Sequence, residues 1–124
     1  MGAPLSHTLS KEERLCGRNA VSALLAKGRY GVAGCLKYCF LQDNGLAFSR
    51  ILISVPKRSF KRAVKRNLLK RRLRESYRLQ KELLAATGVD LLLAYSHPEV
   101  ADSAVLFAEV TEILQRISAK LAAE

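Results

Sequence analysis

The feature that most constrains this chain is a concentration of positive charge between residues 57 and 81. Twelve of these 25 residues are Lys or Arg and one, Glu75, is acidic, so the segment has a net charge of +11. The whole chain of 124 residues has a net charge of +10, which leaves −1 for the other 99 residues. A charge focused in this way indicates a polyanionic partner, with nucleic acid first and an anionic membrane surface second.

The periodicity of the same segment predicts an amphipathic helix from Ser59 to about Thr87, ended by Gly88. Its polar face, about a third of the circumference, carries Asn67, Lys70, Arg71, Arg74, Arg78 and Lys81. Its apolar face, which we expect to pack on a core, carries Leu69, Leu73, Ser76 and Leu83. Phe60 and Val64 do not fit that apolar face, so either the first turn packs differently or the helix begins later.

The remaining sequence predicts one domain over residues 1–124, with a loose tail at residues 1–9. Hydrophobic residues make up 49% of the chain, which is enough to bury a core. Ser10, followed three residues later by a Glu, is a capping-box pattern. It predicts a first helix that runs to Lys27 and stops at Gly28.

Short apolar segments after the first helix predict strands. One covers Cys35–Leu41, and one or two more lie within residues 46–55. The Asn-Gly pair between them predicts a hairpin. The apolar run Val89–Tyr95 predicts a buried strand, in which we expect Asp90 to pair with a basic side chain or to lie at the strand end.

A last helix is predicted to begin at Asp102 or Ser103. Its apolar stripe at helical spacing is Leu106, Val110, Ile113, Leu114, Ile117 and Leu121. The resulting order, α-β-β-(β)-α-β-α, fits one sheet covered by helices. The connection from Val55 to Val89 is long enough to join parallel strands, for which a right-handed crossover is the general preference.

Several classes of function are disfavoured by the residue pattern. No apolar stretch approaches the ~18 residues that cross a bilayer, and no signal peptide is evident, so we expect a cytoplasmic protein without membrane contact. Cys16, Cys35 and Cys39 form no Cys-x-x-Cys pair, and His7 and His97 have no partners at zinc-ligand spacing. Without a Gly-x-Ser-x-Gly elbow or a carboxylate cluster, we expect neither catalytic residues nor a bound metal in the protein itself.

Three polyanions compete for the basic helix. An Arg-rich helix with an Asn can read DNA in the major groove, but a basic-zipper arm needs several more heptads, and Gly88 ends this helix soon after Leu84. A membrane-surface helix needs bulky aromatic residues on its apolar face, which here offers Leu and Ser. RNA, contacted through its phosphates and its shape, is therefore the favoured class.

Two parts of the sequence resemble a known family. Residues 60–74 match at every fixed position the pattern aromatic or aliphatic-x-x-Ala-x-x-Arg-Asn-x-aliphatic-Lys-Arg-x-aliphatic-Arg. Residues 9–15, LSKEERL, and residues 26–28, AKG, are similar to the N-terminal region of the same family. Over about residues 9–96 the chain thus resembles the protein subunit of bacterial ribonuclease P.

The resemblance implies an α/β (α+β) two-layer sandwich in the order α-β-β-β-α-β-α, with a four-stranded sheet and an unusual left-handed β-α-β crossover. It also implies two partners: a catalytic RNA, and the precursor tRNA from which that RNA removes the 5′ leader with bound Mg²⁺. The protein would be the non-catalytic subunit of an endoribonuclease, one monomer per RNA. Its task would be to relieve phosphate repulsion and to position the substrate.

The resemblance also assigns residues. Those expected to meet the catalytic RNA are Lys57, Arg58, Arg62, Arg66, Asn67, Lys70, Arg71, Arg74 and Arg78. Those expected to line a cleft for the single-stranded leader are Val21, Leu25, Tyr38, Cys39 and Arg50.

This sequence departs from the family pattern at some of these positions. Val21 and Leu25 stand where Phe is common, and Cys39 stands near a frequent aromatic, so van der Waals contact would replace stacking there. A register shift of one residue would exchange Tyr38 and Cys39 at the cleft. Leu68 stands where the motif often has another Arg. The alternative interpretation is a non-enzymatic ribosomal or assembly RNA-binding protein of similar fold.

Overall fold

The computed structural model describes residues 13–57, 60–84 and 88–123. Its elements are α1 (Arg18–Lys27), β1 (Arg29–Ala33), β2 (Leu36–Leu41), β3 (Arg50–Ser54), α2 (Ala63–Arg78), a 3₁₀ turn (Lys81–Leu83), β4 (Asp90–Tyr95) and α3 (Ser103–Ala122). The predicted order α-β-β-β-α-β-α and the α+β class are confirmed. The predicted tail at residues 1–9 lies outside the described residues.

The four strands form one mixed sheet in the order β1-β2-β4-β3. β1 pairs antiparallel with β2, β2 pairs antiparallel with β4, and β3 runs parallel to β4. The chain therefore passes from β3 through α2 to a parallel neighbour, as the length of that connection predicted. The left-handed sense of this crossover stays a prediction.

The hairpin of the sheet lies earlier in the chain than predicted. Strand β1 was missed, and Gly34, with φ of 59°, makes the turn between β1 and β2. The Asn-Gly pair makes no hairpin, and residues 46–48 form no strand. Instead, the backbone amide of Asn44 donates to the carbonyl of Gly88 at 2.9 Å, and its side-chain nitrogen donates to the carboxylate of Asp90 at 2.9 Å. These bonds hold the loop between β2 and β3 across the start of β4. As a result, β3 pairs with the edge of β4 that faces away from β2.

The first helix is shorter than predicted, because it begins at Arg18. Arg14 forms a parallel bridge with Ile51, and the amide of Leu15 donates to the carbonyl of Ile51 at 2.8 Å. The segment before α1 therefore extends along β3, a long-range pairing that local periodicity does not reveal. The predicted cap, Ser10, lies outside the described residues.

Gly28 ends α1 as predicted, but for a different physical reason. Its φ is −73°, a value that any residue adopts. A Cβ at this position would lie 2.4 Å from the Sγ of Cys39 and 2.4 Å from the carbonyl oxygen of Leu24. Glycine is required here because α1 approaches β2 closely, and not because the backbone is left-handed.

Helices α2 and α3 cover one face of the sheet, called here the helix-pair face. The predicted stripe of α3 is confirmed, since its first five members are fully buried and Leu121 is partly buried against them. α2 contributes Leu69, Leu73 and Ser76, as predicted, and also Tyr77. These side chains pack on the face of β4 that carries Leu93. One extended core therefore lies between the helix pair and the sheet.

The predicted basic helix is shorter at both ends, spanning Ala63–Arg78. Phe60 is buried ahead of the helix, with its ring centroid 5.7 Å from that of Tyr95. Val64, in the first turn, is 78% exposed. Leu83 is 37% exposed, contrary to prediction, because the chain has left the α-helix and entered the 3₁₀ turn.

Helix α1 crosses the opposite face of the sheet, called here the α1 face. Leu24 is fully buried against Cys39, and Leu41, Leu52 and Leu92 are partly buried around them. With 10 residues, α1 is about 15 Å long. It therefore covers only part of this face.

Candidate nucleic-acid interface

Helix α2 presents most of the predicted cationic face to solvent. We call the α2 surface four residues of that face, Asn67, Lys70, Arg71 and Arg74, together with Lys65, which was not predicted to belong to it. Four of its members are exposed and Lys70 is half-buried. Within the described residues, Lys65, Lys70 and Arg74 make no hydrogen bond or ion pair. The buried leucines anchor the helix while these cations remain available to an external anion.

Two cations of the predicted face are engaged by the protein itself. Arg78 pairs with Glu75 at 2.8 Å, and this hydrogen bond lowers the pKa of the Glu75 carboxyl. Lys81 pairs with Glu13 at 2.8 Å after the chain has left the helix. The Arg78 pair lies within α2 and is exposed, whereas the Lys81 pair ties the segment before α1 to the turn after α2. The expected contact of Arg78 with RNA stays a prediction.

Arg66 also bonds to the protein, which the sequence did not indicate. Its Nη1 donates to the carbonyl of Phe60 at 2.5 Å and to that of Lys61 at 2.9 Å. The side chain thereby braces the segment that enters α2. Its expected contact with RNA stays a prediction.

A cation-lined depression of ≈ 520 Å³ lies where the chain enters α2. Lys61, Arg62 and Lys65 line it, opposite the loop that contains Glu99. Lys57 is exposed in the same approach to the helix. Arg58, predicted to join this group, lies outside the described residues. The cationic surface thus begins before the helix does.

Arg74 extends the cationic surface toward the edge of the sheet. It shares a groove of ≈ 220 Å³ with Arg14, beside Leu15, Cys16 and residues 51–53. Arg14 was not predicted, because its segment was expected to be helical. Two guanidinium groups in one groove suit the phosphate oxygens of a nucleic-acid backbone.

The α1 face carries Val21 and Leu25, two of the residues predicted to line a cleft. Val21 is partly buried against the cluster of Leu24 and Cys39. Leu25, one turn further along α1, is 45% exposed. These two apolar side chains lie on the helix that borders the uncovered part of the sheet, and their contact with a leader stays a prediction.

The strand register decides between Tyr38 and Cys39. Tyr38 is buried on the helix-pair face, where its ring stacks on Phe40 with centroids 6.4 Å apart, so its predicted place in the cleft was wrong. Cys39 points to the α1 face, because successive strand residues face opposite sides. Its thiol donates to the carbonyl of Leu24 at 3.4 Å, and burial raises its pKa. It forms the floor beneath α1 and is not exposed.

Arg50 is committed to an internal ion pair. Its Nε and Nη2 donate to the two carboxylate oxygens of Asp90 at 2.9 and 2.7 Å. These hydrogen bonds raise the pKa of Arg50. Asp90 is buried, and its two bonds from Arg50 confirm the predicted pairing with a basic side chain. Its carboxylate also accepts from the side-chain nitrogen of Asn44. Arg50 therefore anchors the loop before β3, and its expected contact with a substrate stays a prediction.

Three side chains on the α1 face were missed. β1 pairs Tyr30 with Cys39 and Val32 with Lys37, so all four share this face. Tyr30 is 61% exposed, Val32 is 57% exposed, and Lys37 is also exposed. The sequence signal for β1 was the alternation of Tyr and Val with small residues in Arg29–Ala33. This alternation predicts a strand if Gly31 is counted as part of the strand.

Neither a metal-ligand cluster nor a membrane-spanning helix is present among the described residues. No three His, Cys, Asp or Glu side chains there converge as metal ligands would. No helix in that part of the chain combines the length and the apolar character needed to cross a membrane. The two surfaces described above offer a ligand cationic groups and apolar or aromatic contacts.

Comparison with known sequences identifies similar proteins. The family Ribonuclease P matches residues 9–118. The chain is 42% identical over 86 residues to the ribonuclease P protein component of Porphyromonas gingivalis, which is 68% of this chain and 63% of that protein. It is 35% identical over 89 residues to that of Pseudomonas putida, covering 72% and 65% of the two chains. The matches thus span slightly less than two thirds of these relatives.

Solved structures give the same result for the fold. The ribonuclease P protein from Thermotoga maritima superposes with a TM-score of 0.74 at 25% identity, over 85% of this chain and 97% of that chain. The Staphylococcus aureus protein superposes with a TM-score of 0.73 over 84% and 94% of the chains. Its identity is 19%, so it supports the fold alone.

Proposed function

The chain belongs to the Ribonuclease P protein family, and we propose on that basis that it is the protein subunit of a ribonuclease P holoenzyme. Its partner is a catalytic RNA, and the reaction is the endonucleolytic removal of the 5′ leader from precursor tRNA. The protein binds and positions, and the RNA carries the catalytic centre.

The observation that carries this proposal is the α2 surface. Lys65, Lys70 and Arg74 have no described protein partner, and the acid on this helix, Glu75, is occupied by Arg78. Each cation that meets a phosphate releases condensed counterions, which contributes to affinity without a demand on base sequence. Such a surface suits a folded RNA, whose phosphates are recognised by shape and charge.

Mg²⁺ enters this proposal as the ion of the RNA. Cations of the protein reduce the repulsion between RNA phosphates that must approach one another, so less Mg²⁺ is needed to hold the folded RNA. The α1 face has a separate task, which is to contact the unpaired leader through apolar side chains such as Val21 and Leu25. The two surfaces would thus act on different parts of the RNA assembly.

Reconstitution tests the proposal directly. The protein is added to a bacterial ribonuclease P RNA at low Mg²⁺, and cleavage of precursor tRNA at the mature 5′ end is measured. We expect stimulation that requires both components and no cleavage by the protein alone. Failure to stimulate, with the protein shown to be folded, would contradict the proposed function.

A matched pair of variants tests the surface. Arg71→Gln with Arg74→Gln removes two charges from α2, whereas Arg116→Gln with Lys120→Gln removes two from exposed positions on α3. Each lost phosphate contact should flatten the log–log salt dependence of RNA affinity by roughly 0.7–0.9, so the α2 pair should flatten it by about 1.5. The α3 pair should leave the slope unchanged. Equal slopes for the two pairs would place the RNA elsewhere.

A further inference from the structure

We propose that Tyr30 is a stacking platform for one unpaired nucleotide of the leader, a role that rests on the proposed function of the chain. Its side chain is 61% exposed although it lies within strand β1. The pairing of Tyr30 with Cys39 sets it on the α1 face, beside the helix that borders the cleft.

The ring is fixed before any ligand arrives. The hydroxyl of Tyr30 donates to the carbonyl of Leu25 in the last turn of α1, at 2.5 Å. This bond holds the polar end of the side chain against the helix and leaves the apolar ring uncovered. An ordered aromatic ring loses little conformational entropy when a base stacks on it, so the exposed ring is suited to binding.

The neighbours of the ring suit a nucleotide. Val32 is 57% exposed and Leu25 is 45% exposed, so apolar surface continues on both sides of Tyr30. Lys37, directly across the strand pair from Val32, is exposed and makes no hydrogen bond or ion pair among the described residues. A base on the ring and its phosphate near Lys37 would satisfy both features. Stacking of this kind tolerates any base sequence.

The residues predicted for base contact do not supply this group. Tyr38 lies on the opposite face of the sheet, and Cys39 is completely buried beneath α1. Tyr30 stands in the adjacent strand, directly opposite Cys39. The aromatic side chain available to a base in the cleft therefore lies in the edge strand β1, next to the strand in which it was predicted.

The test uses the reconstituted holoenzyme with precursor and mature tRNA. Tyr30→Ala should weaken precursor binding by about tenfold and leave mature tRNA binding unchanged, because mature tRNA has no leader to stack. Tyr30→Phe keeps the ring and loses the hydroxyl, so precursor affinity should stay within about twofold of the parent. Phe107→Ala, at an exposed ring on α3, is the matched control and should change neither affinity.

Abasic substitutions locate the base. Leader bases are removed one at a time, and for the parent holoenzyme we expect binding to weaken when the base that stacks on Tyr30 is removed. Removal of that same base should have no effect on binding to the Tyr30→Ala holoenzyme. The role of Tyr30 would be overturned if, at every leader position, the loss of affinity from base removal simply added to the loss from Tyr30→Ala. It would also be overturned if Tyr30→Ala weakened the binding of precursor and mature tRNA equally. In either case, unchanged stimulation of cleavage by the parent protein would leave the proposed function standing, whereas absence of stimulation would refute the function itself.

Discussion

The two faces of the sheet differ in how completely they are covered. On the helix-pair face, Leu93 and its neighbours are completely buried under α2 and α3. On the α1 face, the buried cluster consists of Leu24 and Cys39 with Leu15, while Tyr30 and Val32 remain more than half exposed. The comparison shows that stability is concentrated on one face, which leaves the other free to present contact groups to a ligand.

Helix α2 repeats this division around its own circumference. Burying Leu69 and Leu73 stabilises the fold by about 1.5–3 kcal/mol each. Lys70 and Arg74 repel each other at i and i+4, which costs only about 0.2–0.5 kcal/mol. Burial therefore outweighs repulsion, and the helix can form before any polyanion binds.

The largest expected effect separates the two faces within one strand. Leu93→Ala empties a fully buried site on the helix-pair face and should lower the free energy of unfolding by about 3–5 kcal/mol. Leu92→Ala, at the next residue but on the partly covered α1 face, should cost about 1–2 kcal/mol. Urea unfolding measures both, and equal losses would mean that the α1 face is packed as tightly as the other.

A polar contact of the α1 face should have the next largest effect. Arg50→Met leaves buried Asp90 without its main partner and should cost about 2–4 kcal/mol, less than a fully buried pair because the Arg50 side chain is 21% exposed. Arg116→Met removes two exposed contacts, the pair with Glu112 and the bond to the carbonyl of Val32, and should cost about 1 kcal/mol or less. Thermal unfolding measures both losses of stability. Equal, small losses for the two variants would mean that Arg50 does not anchor the loop before β3.

The smallest of the three effects concerns the contact between α1 and the sheet. Gly28→Ala should cost about 1–3 kcal/mol, because the new methyl group collides with Cys39 and the Leu24 carbonyl. In a Cys39→Ala background the same change should cost less, since the sulfur is gone and only the carbonyl contact remains. A double-mutant cycle by urea unfolding measures this coupling, and a coupling of zero would contradict the close approach of α1 to β2.

Sequence patterns were most reliable where one element alone sets the pattern. The apolar stripe of α3 and the buried leucines of α2 were identified because a helix repeats its inward-facing side every three or four residues. The same argument exposed the misfit of Phe60 and Val64, which the later start of α2 explains. The residue pattern also predicted the order α-β-β-(β)-α-β-α, to which the family resemblance added the third strand, and the structure confirms the full order.

The predictions that failed depended on partners distant in sequence. The Asn-Gly pair has the composition of a hairpin turn, yet β4 enters the sheet between β2 and β3. Arg14 was assigned to a helix and instead pairs with Ile51. Arg66 is a different case, because the carbonyls that it binds belong to the nearby residues Phe60 and Lys61, and its contact with RNA stays a prediction.

Charge and helical period are local properties, so the amino-acid sequence is enough to predict a cationic helix with an apolar back. The burial of Tyr38 in the core and of Cys39 beneath α1 depends instead on contacts between distant parts of the chain. Both faces of β2 are buried at residues 38–40, so the strand shows no alternation of polar and apolar residues from which its register could be inferred. Only the pairing of β2 with β1 and β4, and the packing of helices on each side, set which side chain faces which way.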